Sequence, residues 1–278
     1  MATIGVLHPG EMGAALGAVL AAAGHEVLWS SAGRSEATAR RAADAGLGDA
    51  GTVDGLTRDC DAILSVCPPH AALDVARAAA GFRGVFVDAN AVSPATTREV
   101  GAIVGGARFV DGGIVGAPPR TAGDTRLYLS GPAAAEAAAL FDTTIVATPV
   151  LSDRVGDASA MKMAYAAYTK GAAALVLAVR ALARESGLEE ALLADWDASL
   201  PELPRRSLQA ARSAAAKGWR WDFEMEEIAA TFAGAGLPDG FHRAAAELFR
   251  RTPRIDGAPA DEATLDTVLR GLPRQPAK

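Results

Sequence analysis

The chain is poor in the residues that build disulfide frameworks, metal centres and nucleic-acid surfaces. Two of its 278 residues are cysteine and four are histidine. Cys60 and Cys67 have no CxxC spacing and read as buried thiols in a reducing compartment. His8, His25, His70 and His242 stand apart from one another, with no paired acidic spacing, so no metal site is expected. Lysine and arginine number 27 against 33 aspartate and glutamate, and the net charge of -6 gives no basic field for nucleic acid. Aromatics make up only 5% of the chain, so alanine-rich helices must supply much of the core. The first residues carry no basic segment of the kind that opens a signal peptide. Arg180 and Arg184 interrupt the best apolar run before the ~20 residues of a membrane span. The expectation is a soluble cytoplasmic protein that meets small molecules and a second copy of itself, with neither nucleic acid nor membrane as a partner.

What is present is an alternation of short apolar runs with helical stretches through the first half. That pattern predicts a parallel sheet with helices on both faces. Strands are expected at 4–7, 26–29, 61–67, 85–90, 108–115, 126–130 and 144–150. Helices are expected at 11–23 and 70–80, with a further one opened by Ser93 as N-cap and Pro94 at its first position. The alternation stops after Val150. From 155 to 186 the chain holds no proline and, past Gly156 at its start, one internal glycine, Gly171, which predicts a helix of about 45 Å. The remainder reads as shorter helices broken at Pro201, Pro204, Gly236 to Pro238 and Pro253, with a frayed tail over 271–278. The fold class is therefore α/β: a Rossmann-type doubly wound domain at 1–152, then an all-α substrate and dimerisation domain at 153–278 that begins with the long interdomain helix.

His8-Pro9-Gly10-Glu11-Met12-Gly13 follows the first strand and opens a helix, the place of a dinucleotide-binding loop. Gly10 lets the backbone approach a pyrophosphate and Gly13 lets the helix pack on the sheet, while the helix N-terminus supplies N–H donors. His8 occupies the first glycine position of that loop. After the second strand, Ser30 and Ser31 replace the acidic residue that would hold the ribose hydroxyls of NAD. Arg34 and Ser35 follow. Serine hydroxyls with a guanidinium suit a 2′-phosphate, so NADP is the expected cofactor.

These segments, with others in the same order, resemble the β-hydroxyacid dehydrogenase superfamily, which includes 3-hydroxyisobutyrate and 6-phosphogluconate dehydrogenases and the related imine reductases. Gly10 to Gly13 is similar to the family's cofactor loop. Val87-Asp88-Ala89-Asn90-Ala91-Val92-Ser93-Pro94 resembles the segment that reaches the nicotinamide, and Asp111-Gly112-Gly113-Ile114-Val115-Gly116-Ala117 resembles the substrate loop. Gly156 to Met163 resembles the start of the interdomain helix, where the family keeps a catalytic lysine, here Lys162. The stretch Trp219 to Ile228 is similar to a phosphogluconate dehydrogenase-like branch with no assigned substrate.

The resemblance implies hydride transfer between NADPH and a small carbonyl or alcohol, with Lys162 as general acid in reduction and base in reverse. Cofactor contacts are expected from His8, Pro9, Gly10, Glu11, Met12, Ser31, Arg34, Ser35, Cys67, Pro68 and Asn90. Substrate contacts are expected from Val115, Gly116, Ala117 and Thr169. Lys162, Tyr165, Ala166 and Thr169 share one helix face at i, i+3, i+4 and i+7, and Tyr165 is the second candidate catalytic residue.

The chain departs from the pattern in ways that bear on its substrate. Ala166 stands where the family has asparagine, and Val115 where the hydroxyisobutyrate branch has serine. Glu226-Glu227 occupy the place of a lysine-aspartate pair, with Glu224 nearby. An acidic pocket would suit an amine or iminium, so imine reduction is the alternative, although retention of Lys162 argues against it. A non-catalytic NADP-binding sensor or partner subunit is the reading from another class. A homodimer is expected in all of these cases.

Overall fold

A computed structural model describes residues 1–105 and 108–273 of the chain, and residues 274–278 of the expected frayed tail lie outside it. The described residues form eight strands and eleven α-helices. In chain order these begin β1 (Thr3–Leu7), α1 (Glu11–Ala22), β2 (Glu26–Trp29), α2 (Glu36–Asp44), β3 (Gly48–Asp49), α3 (Val53–Asp59), β4 (Ala62–Ser65), α4 (Ala72–Ala78), β5 (Val85–Asp88) and α5 (Pro94–Val104). There follow β6 (Phe109–Gly116), β7 (Thr125–Ser130), α6 (Ala134–Ala139), β8 (Val150–Ser152) and α7 (Asp157–Glu185). The helical remainder is α8 (Glu189–Ser199), α9 (Leu203–Gly234), α10 (Gly240–Arg251) and α11 (Glu262–Gly271). Two compact units result, Met1–Met163 and Ala164–Lys278, and the division falls within α7.

The first unit is built on one sheet of order β3-β2-β1-β4-β5-β6-β7-β8. The pairs from β3 across to β6 are parallel, and 3-2-1-4-5-6 is the doubly wound order whose switch point lies between β1 and β4. The central strands read as unbroken apolar runs because both faces are covered. Val6, Val27, Leu64, Val87 and Val110 pack with Leu16 and Leu20 on one side. Leu7, Ile63, Phe86 and Phe109 pack with Leu56 and Val100 on the other. Ser93 Oγ accepts from Thr96 N–H at 3.2 Å, and Pro94 opens α5 as expected.

The sheet is mixed where the sequence predicts a parallel one. β7 runs antiparallel to β6, because residues 117–124 are too few for a crossover and suffice only for a return turn. The last strand sits at Val150–Ser152 rather than 144–150. Pro149 has no N–H to give a ladder, and only its carbonyl takes part, accepting from Leu129 N–H at 3.0 Å.

The second unit is helical, and its longest helix is α9, at 32 residues. The sequence reading of shorter helices there is corrected. Pro204 lies in the first turn of α9, where its missing N–H costs nothing, and the Ala-rich tract then runs on to Gly234. α7 extends over 29 residues. Among the described residues it is the one helix long and apolar enough to cross a membrane by length and composition, although Arg180 and Arg184 were expected to break such a run, and 39% of its most apolar window is buried in the protein. Arg180 itself is 2% exposed, donating to Glu189 at 2.8 Å and to Ser207 at 2.8 Å.

Candidate functional site

The loop after β1 turns directly into α1, with His8 in a backbone conformation that favours glycine. His8 has φ of 66°, in the left-handed region, a conformation that costs a non-glycine residue on the order of 1–2 kcal/mol. Its carbonyl accepts from Gly10 N–H at 2.7 Å. A Cβ at Gly13 would stand 2.7 Å from that same oxygen, so glycine is required there, whereas a Cβ at Gly10 would meet nothing within 4 Å. No side chain caps α1, and its first-turn N–H groups are open to an anion. Glu11 is exposed, while Met12 is partly buried against the core. Arg41, on α2, donates to the Pro9 carbonyl at 3.0 Å and steadies the loop. The sequence reading missed it, since the one available signal was an arginine pair on an otherwise small-residue helix.

Arg34 meets this loop from the end of β2. Its guanidinium acts electrostatically on both His8 and Cys67. Burial, then the Arg34 charge, lowers the His8 pKa to about 4, so the imidazole is neutral near pH 7. Arg34 Nε and His8 Nδ1 are both buried with no geometrically sound hydrogen-bond partner among the described residues, although the Leu7 backbone lies close enough to act on the His8 ring. Desolvation also lowers the Arg34 pKa. Ser31 and Ser35 are already engaged within the protein. Asp49, at the end of β3, accepts from Ser31 and, at 2.7 Å, from Gly51 N–H, and these bonds hold its carboxyl below the usual range. Ser35 Oγ accepts from Thr38 N–H at 3.3 Å as the N-cap of α2. Asp49 was also missed, because a two-residue strand leaves no periodic signal.

Further along the same sheet edge, Asn90 Oδ1 accepts from Cys67 N–H at 2.6 Å, and Asn90 Nδ2 donates to Ser65 Oγ at 3.1 Å and to Asp88 Oδ1. Cys67 and Cys60 are buried free thiols. Burial pushes each up to about 12. Pro68 is exposed.

Lys162 belongs to the same unit. Asp111 on β6 accepts from Gly156 N–H at 2.9 Å, Ser159 N–H at 3.0 Å, Ser159 Oγ at 2.6 Å and Ser130 Oγ at 2.9 Å. One carboxylate thus caps the start of α7. Two residues on, a Cβ at Gly113 would lie 2.5 Å from the Ala158 carbonyl and 3.0 Å from Lys162 Cβ. Glycine there lets the helix rest on strand backbone, with Lys162 half-buried beside it. Val115 is 1% exposed, Gly116 has φ of 117°, and the exposed Ala117 accepts at its carbonyl from Thr125 Oγ1.

The remaining candidates lie in the second unit. Tyr165 is 43% exposed and Ala166 is 1% exposed. Thr169 Oγ1 donates back to the Tyr165 carbonyl at 3.2 Å. Thr169 lines a cavity of about 410 Å³ with Lys170, Arg206, Gln209, Ser213 and Trp221. Two carboxylates of the acidic stretch, Glu224 and Glu226, are paired within this unit. Glu224 pairs with Lys170, whose Nζ stands 5.7 Å from the Trp221 ring centroid. Glu226 pairs with Arg250, and with Arg243 at 3.4 Å. The acidic pocket expected from Glu224 to Glu227 is corrected for two of its carboxylates: Glu224 and Glu226 face cations of the same unit. His242 is buried against Phe232 and Phe241, at 4.3 and 5.2 Å between centroids.

Comparison with known proteins bears on this arrangement. Residues 183–252 match a domain of unknown function, DUF1932. An uncharacterised 28.5 kDa protein of Methanothermus fervidus is 33% identical over 169 residues, and the match covers 60% of this chain and 66% of that protein, just under two thirds. The structure of the conserved protein MTH1747, of unknown function and described as similar to 3-hydroxyacid dehydrogenases, superposes with TM-score 0.65 at 29% identity, over 89% of this chain and 98% of that one. The reductive aminase of Aspergillus terreus, solved with NADPH and ethyl-5-oxohexanoate, gives TM-score 0.54 at 20% identity, over 90% and 93%. The chain shares its fold with solved structures of a 3-hydroxyisobutyrate dehydrogenase from Salmonella typhimurium and an imine reductase from Streptomyces aurantiacus.

Proposed function

We propose that this protein is an NADP(H)-dependent oxidoreductase that moves a hydride between the nicotinamide and a small carbonyl or alcohol, with Lys162 as general acid and base. The observation that carries the reading is the convergence, at the switch point of the sheet, of the His8 to Gly13 loop with Arg34. Gly13 is glycine because a side chain would strike the loop, Gly10 faces open space, and Arg34 Nε and His8 Nδ1 are buried with no hydrogen-bond partner among the described residues. These features fit a dinucleotide with a 2′-phosphate. When bound, the cofactor supplies or receives the hydride. The residues here do the rest. The α1 amides and Gly10 receive the pyrophosphate, Arg34 selects the phosphate, and Asn90, fixed by Ser65, Asp88 and Cys67, borders the nicotinamide end. Lys162, held against Gly113, gives a proton to the developing alkoxide or takes it back.

Imine reduction is the second reading. The likeness to a reductive aminase solved with NADPH supports it, as does the aliphatic Val115, while the pairing of Glu224 and Glu226 with cations weakens its electrostatic argument. The DUF1932 match spans the Trp219 to Ile228 stretch. The molecule works as a homodimer in this proposal. Tyr168, Leu175 and Leu182 stand at seven-residue spacing on α7 and are 71%, 51% and 69% exposed, and an apolar seam of that period suits a second helix. The reduced, buried cysteines support a cytoplasmic setting. A panel of ketones and cyclic imines with NADPH tests the chemistry: ketone-only turnover removes the imine reading, and turnover of neither class removes both.

A further inference from the structure

A row of polar residues crosses the otherwise apolar sheet near its carboxyl edge. Strand register places Ser65 of β4 beside Asp88 of β5, Asp88 beside Asp111 of β6, Asp111 beside Ser130 of β7, and Ser130 beside Ser152 of β8. Ser65, Asp88, Asp111 and Ser130 are all essentially buried. Two carboxyls on neighbouring strands inside a protein repel strongly when both are charged. Their partners differ. Asp111 accepts four hydrogen bonds, two of them from N–H groups of Gly156 and Ser159 at the start of α7. Asp88 accepts from Asn90 alone, from its side-chain amide through Oδ1 and from its backbone N–H, and Oδ2 is buried with no geometrically sound partner among the described residues.

We propose that Asp88 and Asp111 form a single-charge pair: Asp111 carries the charge that anchors α7 against β6, Asp88 is held neutral beside it, and ionisation of Asp88 releases the first turn of α7. Asp88 is thus a positioning residue for the helix that bears Lys162. The anchor stands on strand register and hydrogen bonds alone, and only its consequence for proton transfer rests on the reductase reading.

Burial first, and the Asp111 charge second, push Asp88 up to about 8. Burial raises Asp111 as well, opposed by its hydrogen bonds from Ser159, Ser130 and Gly156. The groups around the pair leave the window clear. From β4 come Ser65 and the segment ending in the Cys67 thiol, which is pushed up to about 12 and stays neutral. Asn90 faces Asp88 from its own strand end. α5 and α7 bring the hydroxyls of Thr97 and Ser159, bonded to one another at 2.7 Å, and their charged side chains Arg98 and Asp157 act on each other. The folded protein therefore keeps the Asp88 proton far above the ~3.9 of an unfolded aspartate. Stability is greatest in acid as far as this group is concerned, is lost as pH rises from about 4 to about 8, and falls no further above that.

The test is amide hydrogen exchange of the intact chain, read as protection factors for the peptide 156–163 at pH 7 and pH 9, with the α4 peptide 72–78 as control. Wild type should lose protection roughly tenfold at pH 9 while the control holds. Asp88→Asn should keep its protection at both pH values, and Asp111→Asn should be poorly protected at both. Equal wild-type protection at pH 7 and pH 9 overturns the proposal even where neither variant folds. A parallel loss in Asp88→Asn and wild type overturns it too. Because no nucleotide or substrate is present, failure here is separate from failure of the reductase reading.

Discussion

Lys162 rests on Gly113: a methyl group at residue 113 would come within 3.0 Å of Lys162 Cβ and 2.5 Å of the Ala158 carbonyl oxygen. The strand therefore offers the helix bare backbone, and the position of Lys162 depends on that closeness. Gly113→Ala must push α7 outward or distort β6. The expected cost is about 1–3 kcal/mol in chemical denaturation, with turnover reduced more than NADPH affinity. Wild-type stability and turnover in this variant would detach Lys162 from β6.

Lys162 is assigned the proton transfer, so Lys162→Ala should reduce the rate by roughly 10²–10⁴-fold while leaving NADPH binding and the melting temperature close to wild type. Single-turnover measurement with the best substrate of the ketone panel checks it. A variant that turns over normally places the acid elsewhere.

The second unit holds an ion pair that is almost closed to solvent, with Lys170 and Glu224 side chains 13% and 11% exposed. Removing one partner leaves a buried charge, and Lys170→Met should destabilise by about 3–5 kcal/mol, whereas replacing both residues with apolar ones should recover most of that loss. Urea unfolding of the single and double variants decides the matter. Equal losses in the two would show that the pair's charge is not what matters.

The exposed seam on α7 makes oligomeric state testable. Light scattering should give twice the chain mass at micromolar concentration. Leu175→Glu combined with Leu182→Glu should give a monomer of unchanged helicity. A monomeric wild type would refute the homodimer.

Much of the fold was legible in the sequence because its signals are local and strong. Apolar runs at β1, β2, β4 and β5 mark buried strands, Ser93-Pro94 marks the start of α5, and the uninterrupted stretch after Gly156 marks α7. Reading failed where a feature depends on partners distant in the chain. β7 reverses because its connection to β6 is short, and α9 continues because Pro204 falls in its first turn, which composition alone does not reveal. For the candidate site, glycine spacing pointed to the loop, and Arg34 is brought within electrostatic reach of that loop at His8. The sequence could not announce that Asp49 would engage Ser31, that Arg41 would brace Pro9, or that Lys170 would neutralise Glu224, since each contact joins separate elements.

The most direct test of the account is a fluorescence titration of the purified protein with NADPH and with NADH, repeated on Arg34→Ala. The account predicts micromolar NADPH binding, with NADH markedly weaker. Arg34→Ala should lose roughly 10–100-fold in NADPH affinity, as expected for a charge-assisted contact of about 1.5–3 kcal/mol, with little change for NADH. Failure of both nucleotides to bind, or equal binding of both that ignores Arg34, would contradict it.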